Sequence, residues 1–221
     1  MDELIRLVIL TGGLLAIMPV LLVITLAVSF ERLWLLKKIL RQGREIDNRL
    51  RQVAYQDVGG LQAIADTSTK TLQGHLITTA IASRGESAEE MEMHLEEEIL
   101  TAMPKINRLL WILDTSVTIA PLLGLFGTII GMIQAFNVLS ANGGPSKVTG
   151  GIADALVSTG AGLLIAIIAV YFVNYFNSLT RQIVHQLELI KIILINRVHG
   201  KGIGAENVVQ RPLPARVASK V

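Results

Sequence analysis

The stretch LVILTGGLLAIMPVLLVITLAVSF, residues 7–30, decides the fold class, because its 24 residues include no ionisable side chain. As an α-helix it is about 36 Å long, enough to cross the hydrocarbon core of a bilayer with some tilt. A signal peptide is disfavoured, since the run is too long, its start is not clearly basic and no small-residue cleavage site follows it. We therefore assign residues 1–30 to an N-terminus and a first span.

Two more uncharged runs complete the pattern. One begins after Asp114 and continues past Leu139, and the other extends from Ala155 to Thr180. The whole chain is 51% hydrophobic and only 17% charged, with a mean hydropathy of +0.53, which is too apolar for a water-solvated surface. The sequence thus predicts an all-α membrane protein with transmembrane helices at 1–30, 112–140 and 151–180, joined by a loop at 141–150.

The distribution of Lys and Arg predicts the direction of the spans. Seven basic residues follow the first span within about 20 residues and four follow the third, whereas the N-terminus offers only Arg6 and the 141–150 loop only Lys147. The positive-inside rule therefore places the N-terminus and that loop outside. It places residues 31–111 inside as a cytoplasmic helical domain, followed after the third span by a cytoplasmic helix at 181–199 and a disordered tail at 200–221.

The cytoplasmic part has a helical pattern. Ser87 and Glu90 have the spacing of a capping box, and apolar residues then recur every three or four positions up to Leu110 and into the second span. Pro104 is expected to kink this helix. The acidic run Glu96–Glu98 is expected to be a solvated face rather than a cation site.

Several classes of function are disfavoured by composition. The net charge of +2 is too small to indicate nucleic acid, and the absence of cysteine removes disulfides and thiolate chemistry. Four histidines without HExxH spacing make a metal site unexpected, and neither a phosphate-binding loop nor a nucleophile elbow is present. We expect no enzyme, no metal and no cofactor.

Small residues recur at helical spacing in the second and third spans. Such residues allow two helix backbones to approach closely, so plain helix packing explains them. The residues that we assign to helix packing are Gly124, Gly127, Gly131, Ser158, Gly162 and Ala166.

One carboxylate is harder to explain by packing alone. Asp154 opens the predicted third span, and an acid in or beside a span costs enough on insertion to be a functional candidate. The alternative is a helix-start residue stabilised by the helix dipole. Thr128 and Thr159 are weaker signals, because buried threonines usually bond to the backbone of their own helix. Together the three residues can line a polar seam between the second and third spans.

The residues that carry a resemblance are APLLGLFGTIIGM, 120–132, and GIADALVSTGAGL, 151–163. These two motifs, in this order on two spans, resemble the MotA/TolQ/ExbB proton-channel family. Three spans match the ExbB and TolQ branch, whereas MotA-type stators have four. The resemblance implies a bacterial inner-membrane protein with a periplasmic N-terminus, which forms a homopentameric ring around the spans of a dimeric ExbD- or TolR-like partner.

The resemblance also implies roles for residues. Thr128 and Thr159 match the pore-lining threonines of the family, and Asp154 matches an acidic residue that is usually glutamate. Asn174 matches an asparagine late in the third span, whereas Ile168 stands where the family often has proline. The implied function is an ExbB-like motor subunit that uses proton flow to energise a TonB-like protein for outer-membrane transport.

Three alternatives remain open on the sequence. A TolQ-like role in envelope constriction with a TolA-like protein, or a gliding motor, has the same build. A structural membrane scaffold without ion conduction would use the glycine faces for assembly alone. Independently of the family, the uncharged runs contain no group suited to proton exchange at mid-membrane, so any central proton carrier must come from another polypeptide. The ring is expected to assemble through the 124–131 and 158–169 faces.

Overall fold

The computed structural model describes residues 14–140 and 145–200, and every regular element in these ranges is helical. The predicted all-α class is confirmed. The expected disordered tail lies outside the described residues apart from Gly200. The elements are α1 (Leu14–Gln52), α2 (Val58–Ser68), α3 (Leu72–Ala82) with a following 3₁₀ turn (Ser83–Gly85), α4 (Ala88–Asn107), α5 (Leu110–Ser140) and α6 (Pro145–His199).

Three of these helices, α1, α5 and α6, are long and apolar enough to cross a membrane. In the most apolar stretch of each, only 22%, 28% and 28% of the residues are buried within the chain. Most residues of these stretches are therefore at least partly exposed in the single chain, and lipid or another protein has to cover them. The sides on which the termini lie stay a prediction.

The chain divides into two compact units. The membrane unit contains the described residues among 1–44 and 99–187, and the extension unit contains those among 45–98 and 188–221. Within the membrane unit the three spans share a core of Met18, Ala120, Ile165 and Ala166. Two of these four residues are alanines, so α5 and α6 approach each other with little side-chain bulk between them.

The connection into the second span differs from the prediction of one continuous helix. Helix α4 passes through Pro104 and ends at Asn107, and α5 begins at Leu110. Between them Leu109 adopts a φ of 64°, a left-handed conformation that costs a non-glycine residue about 1–2 kcal/mol. Because Ile106, Leu110 and Leu113 are all buried, the apolar spacing continues across the break and hides it from periodicity.

Two local predictions concern the extension unit. The capping box is present, because the Ser87 N–H donates to Glu90 Oε2 at 2.9 Å and the Glu90 N–H donates to Ser87 Oγ at 3.2 Å. The acidic run is only partly a solvated face. Lys191 of α6, whose side chain is 13% exposed, donates to Glu96 Oε2 and lies 3.8 Å from Glu92 Oε1. Glu96 is thus an ion-pair partner. The spacing of residues along the chain could not reveal this pairing.

Candidate functional site

Helices α5 and α6 pack against each other in antiparallel register. Gly124 lies opposite Thr159 and Gly162, Gly127 opposite Ser158, and Gly131 opposite Ala155. Each step forward along α5 is therefore matched by a step back along α6. This register places Thr128 at the level of Ser158 and Thr159 at the level of Gly127.

The small residues permit this close approach. A Cβ atom on Gly162 would lie 2.5 Å from the Ala120 carbonyl oxygen, a distance that real Cβ atoms essentially never show, and 3.0 Å from Gly124 Cα. A Cβ atom on Gly127 would collide with Ser158 Oγ. The face between α5 and α6 is thus filled within a single chain.

The prediction that copies of the chain assemble through the 124–131 and 158–169 faces is wrong, because α5 and α6 of one chain already fill these faces. Gly124, Gly127, Gly131, Ser158 and Gly162 are all buried against the other span of the same chain. A neighbouring copy cannot occupy the same surface. Contacts between copies have to use the outward faces of the spans.

The two threonines lie at nearly the same level, at the edge of this packed face. Thr159 Oγ1 donates a hydrogen bond to the Gly124 carbonyl of α5 at 3.1 Å, and Thr128 Oγ1 donates to the Leu125 carbonyl of its own helix at 2.7 Å. Both residues are half-buried. Thr128 therefore has the ordinary backbone bond of a helical threonine, whereas Thr159 joins two helices.

Asp154 lies inside α6 rather than at its start. The helix begins at Pro145, nine residues earlier, so the helix-start explanation for this carboxylate does not apply. Asp154 is exposed, and no hydrogen bond or ion pair involves it among the described residues. It lies four residues from Ser158, about 6 Å along the helix axis from the level of the threonines. Its five-residue separation from Thr159 corresponds to about 140° around the helix, so the two do not share a face.

The bonding of the threonines decides what this seam can bind. A hydroxyl group has one proton to donate and two lone pairs to accept with. Both hydroxyl protons are committed to backbone carbonyls, which leaves Thr128 and Thr159 as acceptors towards any outside group. Asn174 is exposed farther along α6, and Ile168 lies within a helix that continues without interruption.

Sequence reasoning missed a second polar row, on α1. Thr25, Ser29 and Arg32 are fully buried, and Thr25 Oγ1 lies 3.2 Å from Ser116 Oγ of α5. Their spacing of four and three residues continues the buried row from Met18 to Leu36, and this periodicity was the available signal.

Arg32 is the unusual member of that row. None of its three guanidinium nitrogens has a hydrogen-bond partner in the described structure. Glu31 Oε2 lies 3.9 Å from its Nε atom, at the limit of an ion pair. A buried cation with so little compensation is costly, because transfer from water removes its hydration.

The comparison with known proteins agrees with the geometry of the spans. Residues 61–189 match the model of the MotA/TolQ/ExbB proton channel family. An ExbB-like biopolymer transport protein of Synechocystis sp., ExbB-like 3, is 33% identical over 76% of this chain and 82% of its own length. ExbB-like 1 of the same organism is 30% identical over 78% of this chain and 70% of its own length.

A third relative matches over a shorter region. The biopolymer transport protein ExbB of Xanthomonas campestris is 29% identical over 46% of this chain and 41% of its own length. The family match covers more than half of the chain and includes α5 and most of α6, with both threonines and Asp154. With three helices able to cross a membrane, this chain belongs to the MotA/TolQ/ExbB proton channel family, on its ExbB branch.

Proposed function

We propose that this chain is the channel-forming subunit of a proton-driven motor in a bacterial inner membrane. A homopentamer of the chain surrounds the spans of an ExbD-like partner and energises a TonB-like protein for transport across the outer membrane. The N-terminus is periplasmic, and the extension unit is cytoplasmic, as the distribution of Lys and Arg favours.

The observation that carries the proposal is the seam between α5 and α6. Thr159 is fixed by its bond to the Gly124 carbonyl, and Thr128 lies at the same level on the facing helix. A family of proton channels needs a polar surface within its spans, and these hydroxyls supply one. A TolQ-like or gliding-motor role would use the same seam. The seam therefore supports proton-driven work more directly than it supports a TonB-like partner.

The seam is suited to a protonated carboxyl group of the partner. Because Thr128 and Thr159 offer only acceptor oxygens, they bond to a neutral carboxylic acid that donates its proton and not to a carboxylate. Acceptors facing an acid stabilise its protonated form, which raises its pKa. The ring would therefore hold the partner's acid in its neutral form while that acid crosses the apolar zone.

Asp154 has a different role in this proposal. Its exposed carboxylate lies one turn of α6 away from the level of the threonines and has no partner among the described residues. Its negative charge therefore lies beside the approach to the seam, where it can attract protons and hydrated cations. Asp154→Glu is expected to retain proton-driven work, whereas Asp154→Ala abolishes it and leaves assembly intact.

Proton flux in proteoliposomes tests the proposal. The chain alone should carry little flux, because its spans contain no mid-membrane acid, and co-reconstitution with an ExbD-like partner should create it. Each proton that crosses 100 mV releases about 2.3 kcal/mol to drive movement.

The control is the complex with Asp154→Ala, which should assemble but conduct no more than lipid leakage. Equal flux with and without the partner contradicts the two-subunit mechanism. A complex that assembles yet never conducts favours the structural scaffold instead.

A further inference from the structure

A groove runs along the outward side of α1, near the end of its apolar stretch. It has a volume of about 490 Å³ and belongs wholly to the membrane unit. Its wall changes along the helix from apolar to aromatic to basic. The lining residues are Phe30, Leu33, Trp34, Lys37, Lys38 and Arg41.

The apolar and aromatic end of the groove has no cover among the described residues. Phe30 is 66% exposed and Trp34 is 67% exposed. Indole rings are enriched where hydrocarbon meets headgroups, so Trp34 marks the depth of the membrane surface. On this placement Phe30, about one turn earlier in α1, is at the depth of the acyl chains.

The basic end of the groove is held next to aromatic rings. Lys38 Nζ lies 5.0 Å from the centre of the Trp34 ring, and Lys37 Nζ lies 5.9 Å from the centre of the Tyr175 ring of α6. No carboxylate of the described chain lines the groove. Of the two acids nearest to it along α1, Glu31 is 3.9 Å from the buried Arg32, and Glu45 pairs with Arg49 at 2.6 Å. Lys37, Lys38 and Arg41 therefore present three uncompensated positive charges just beyond the indole.

We propose that this groove binds an anionic phospholipid. Its phosphate lies against Lys37, Lys38 and Arg41, and its acyl chains follow Phe30 and Leu33 into the bilayer. The basic end of the groove complements a phosphate, and its apolar end complements hydrocarbon. A free phosphate ion would occupy only the basic end, whereas a phospholipid fits both. Basic residues beside a span attract anionic headgroups in this way.

Tryptophan fluorescence tests the site directly, because the chain contains only Trp34 and Trp111. The Trp111→Phe variant leaves Trp34 as the reporter inside the groove. Reconstituted in phosphatidylcholine vesicles, it is exposed to equal amounts of brominated phosphatidylglycerol or brominated phosphatidylcholine. Brominated phosphatidylglycerol should quench Trp34 more strongly, because that lipid is enriched in the groove.

A triple variant, Lys37→Gln with Lys38→Gln and Arg41→Gln, measures the contribution of the charges. The preference for phosphatidylglycerol should fall about fivefold for each cation removed, the equivalent of about 1 kcal/mol per basic residue near the membrane. The matched control removes three exposed cations outside the groove that form no ion pair among the described residues, with Arg44→Gln, Lys70→Gln and Lys105→Gln. It should keep the preference, and the reciprocal Trp34→Phe protein should show no preference at Trp111.

Three outcomes overturn the proposal. Equal quenching by the two brominated lipids means that the groove faces ordinary bilayer lipid. Absence of quenching by either lipid means that protein, such as a second copy of the chain, covers this face. Loss of the preference on addition of inorganic phosphate, at constant ionic strength, means that the cations bind a soluble anion.

Discussion

At the scale of single residues, Thr128 and Thr159 differ in where their hydroxyl protons go. Thr159 bonds across to α5 and Thr128 bonds within its own helix, so only Thr159 couples the two spans. Removing the Thr159 hydroxyl therefore has two effects. It leaves the Gly124 carbonyl without this donor, and it removes one acceptor from the proposed site of the partner's acid.

Thr159→Val, which keeps the shape of the side chain, tests this residue. The chain should lose about 1 kcal/mol of stability. In the proposed complex, the pH at which transport is half-maximal should move downwards, because the protonated acid loses an acceptor and its pKa falls. Thr159→Ser should restore both properties. An unchanged pH profile with lowered stability would limit Thr159 to packing.

For Arg32 we expect a substitution to keep or raise the stability of the chain rather than lower it. Its guanidinium is fully buried and makes no hydrogen bond in the described structure, so Arg32→Met removes a desolvated charge at similar volume. Thermal unfolding of the purified chain in detergent should occur at the same or a higher temperature. The control Arg41→Met, at an exposed position, should change it little. A clear loss of stability in Arg32→Met would mean that the guanidinium has a stabilising partner in the purified protein.

At the scale of elements, the stability of the α5–α6 pair requires glycine at some positions of the two helices and tolerates alanine at others. Gly162→Ala should destabilise the chain by about 1–3 kcal/mol, because the added methyl group meets the Ala120 carbonyl and the Gly124 backbone. At Gly160, two residues earlier, an added methyl group would meet no described atom within 4 Å apart from its chain neighbours and the nearby backbone of its own helix. Gly160→Ala should therefore be neutral or slightly stabilising. Thermal unfolding of the two variants side by side decides the matter, and similar losses in both would argue against the packed face.

The start of α4 supplies a pH-dependent element. The backbone N–H of Ser87, followed by its hydroxyl group, lowers the pKa of Glu90 below its ordinary value of 4.5. Because the folded pKa is lowered, the ionised carboxylate stabilises the helix start above pH 4.5, and that contribution disappears as the pH falls through the folded pKa.

Amide hydrogen exchange at Ser87 and Glu90 measures this effect. Protection should fall on acidification below pH 4.5 in the native chain, after correction for intrinsic exchange. In Glu90→Gln the protection should no longer depend on pH in this range. The same acid-induced loss in the Gln variant would assign it to another group.

At the scale of the whole molecule, the spans have inward faces used within the chain and outward faces left for assembly or lipid. Phe126 of α5 and Ile167 of α6 are 51% and 66% exposed, whereas Ala120 and Ala169 are fully buried. Any ring of copies has to form through outward positions of this kind.

Pairs of cysteines test this assignment in a chain that has none of its own. Because a closed ring joins different surfaces of neighbouring copies, we expect disulfide-linked oligomers in membranes from the double variant Phe126→Cys with Ile167→Cys, and none from Ala120→Cys with Ala169→Cys. The buried positions act as controls for collision of unfolded chains. Dimers from the buried positions alone would mean that the spans of different copies exchange places.

The sequence by itself determined the features that depend on neighbours along the chain. Uncharged runs of sufficient length predict the three membrane-crossing helices, and Ser87 with Glu90 predicts the capping box, because both depend on residues within one helix. The spacing of Gly124, Gly127 and Gly131 likewise identified a close-packed face. It did not identify the occupant of that face, since a partner in the same chain and a second copy need the same small residues.

Only the tertiary structure decided features that depend on residues far apart in sequence. The hydroxyl of Thr159 bonds to a carbonyl 35 residues away, and Lys191 pairs with Glu96 across 95 residues. Arg32 resembles any other basic residue beside a span until the packing of the three spans buries it. The break at Leu109 is also invisible in the pattern, because apolar spacing continues while the backbone turns. Periodicity records which side chains are apolar, whereas packing decides what each of them meets.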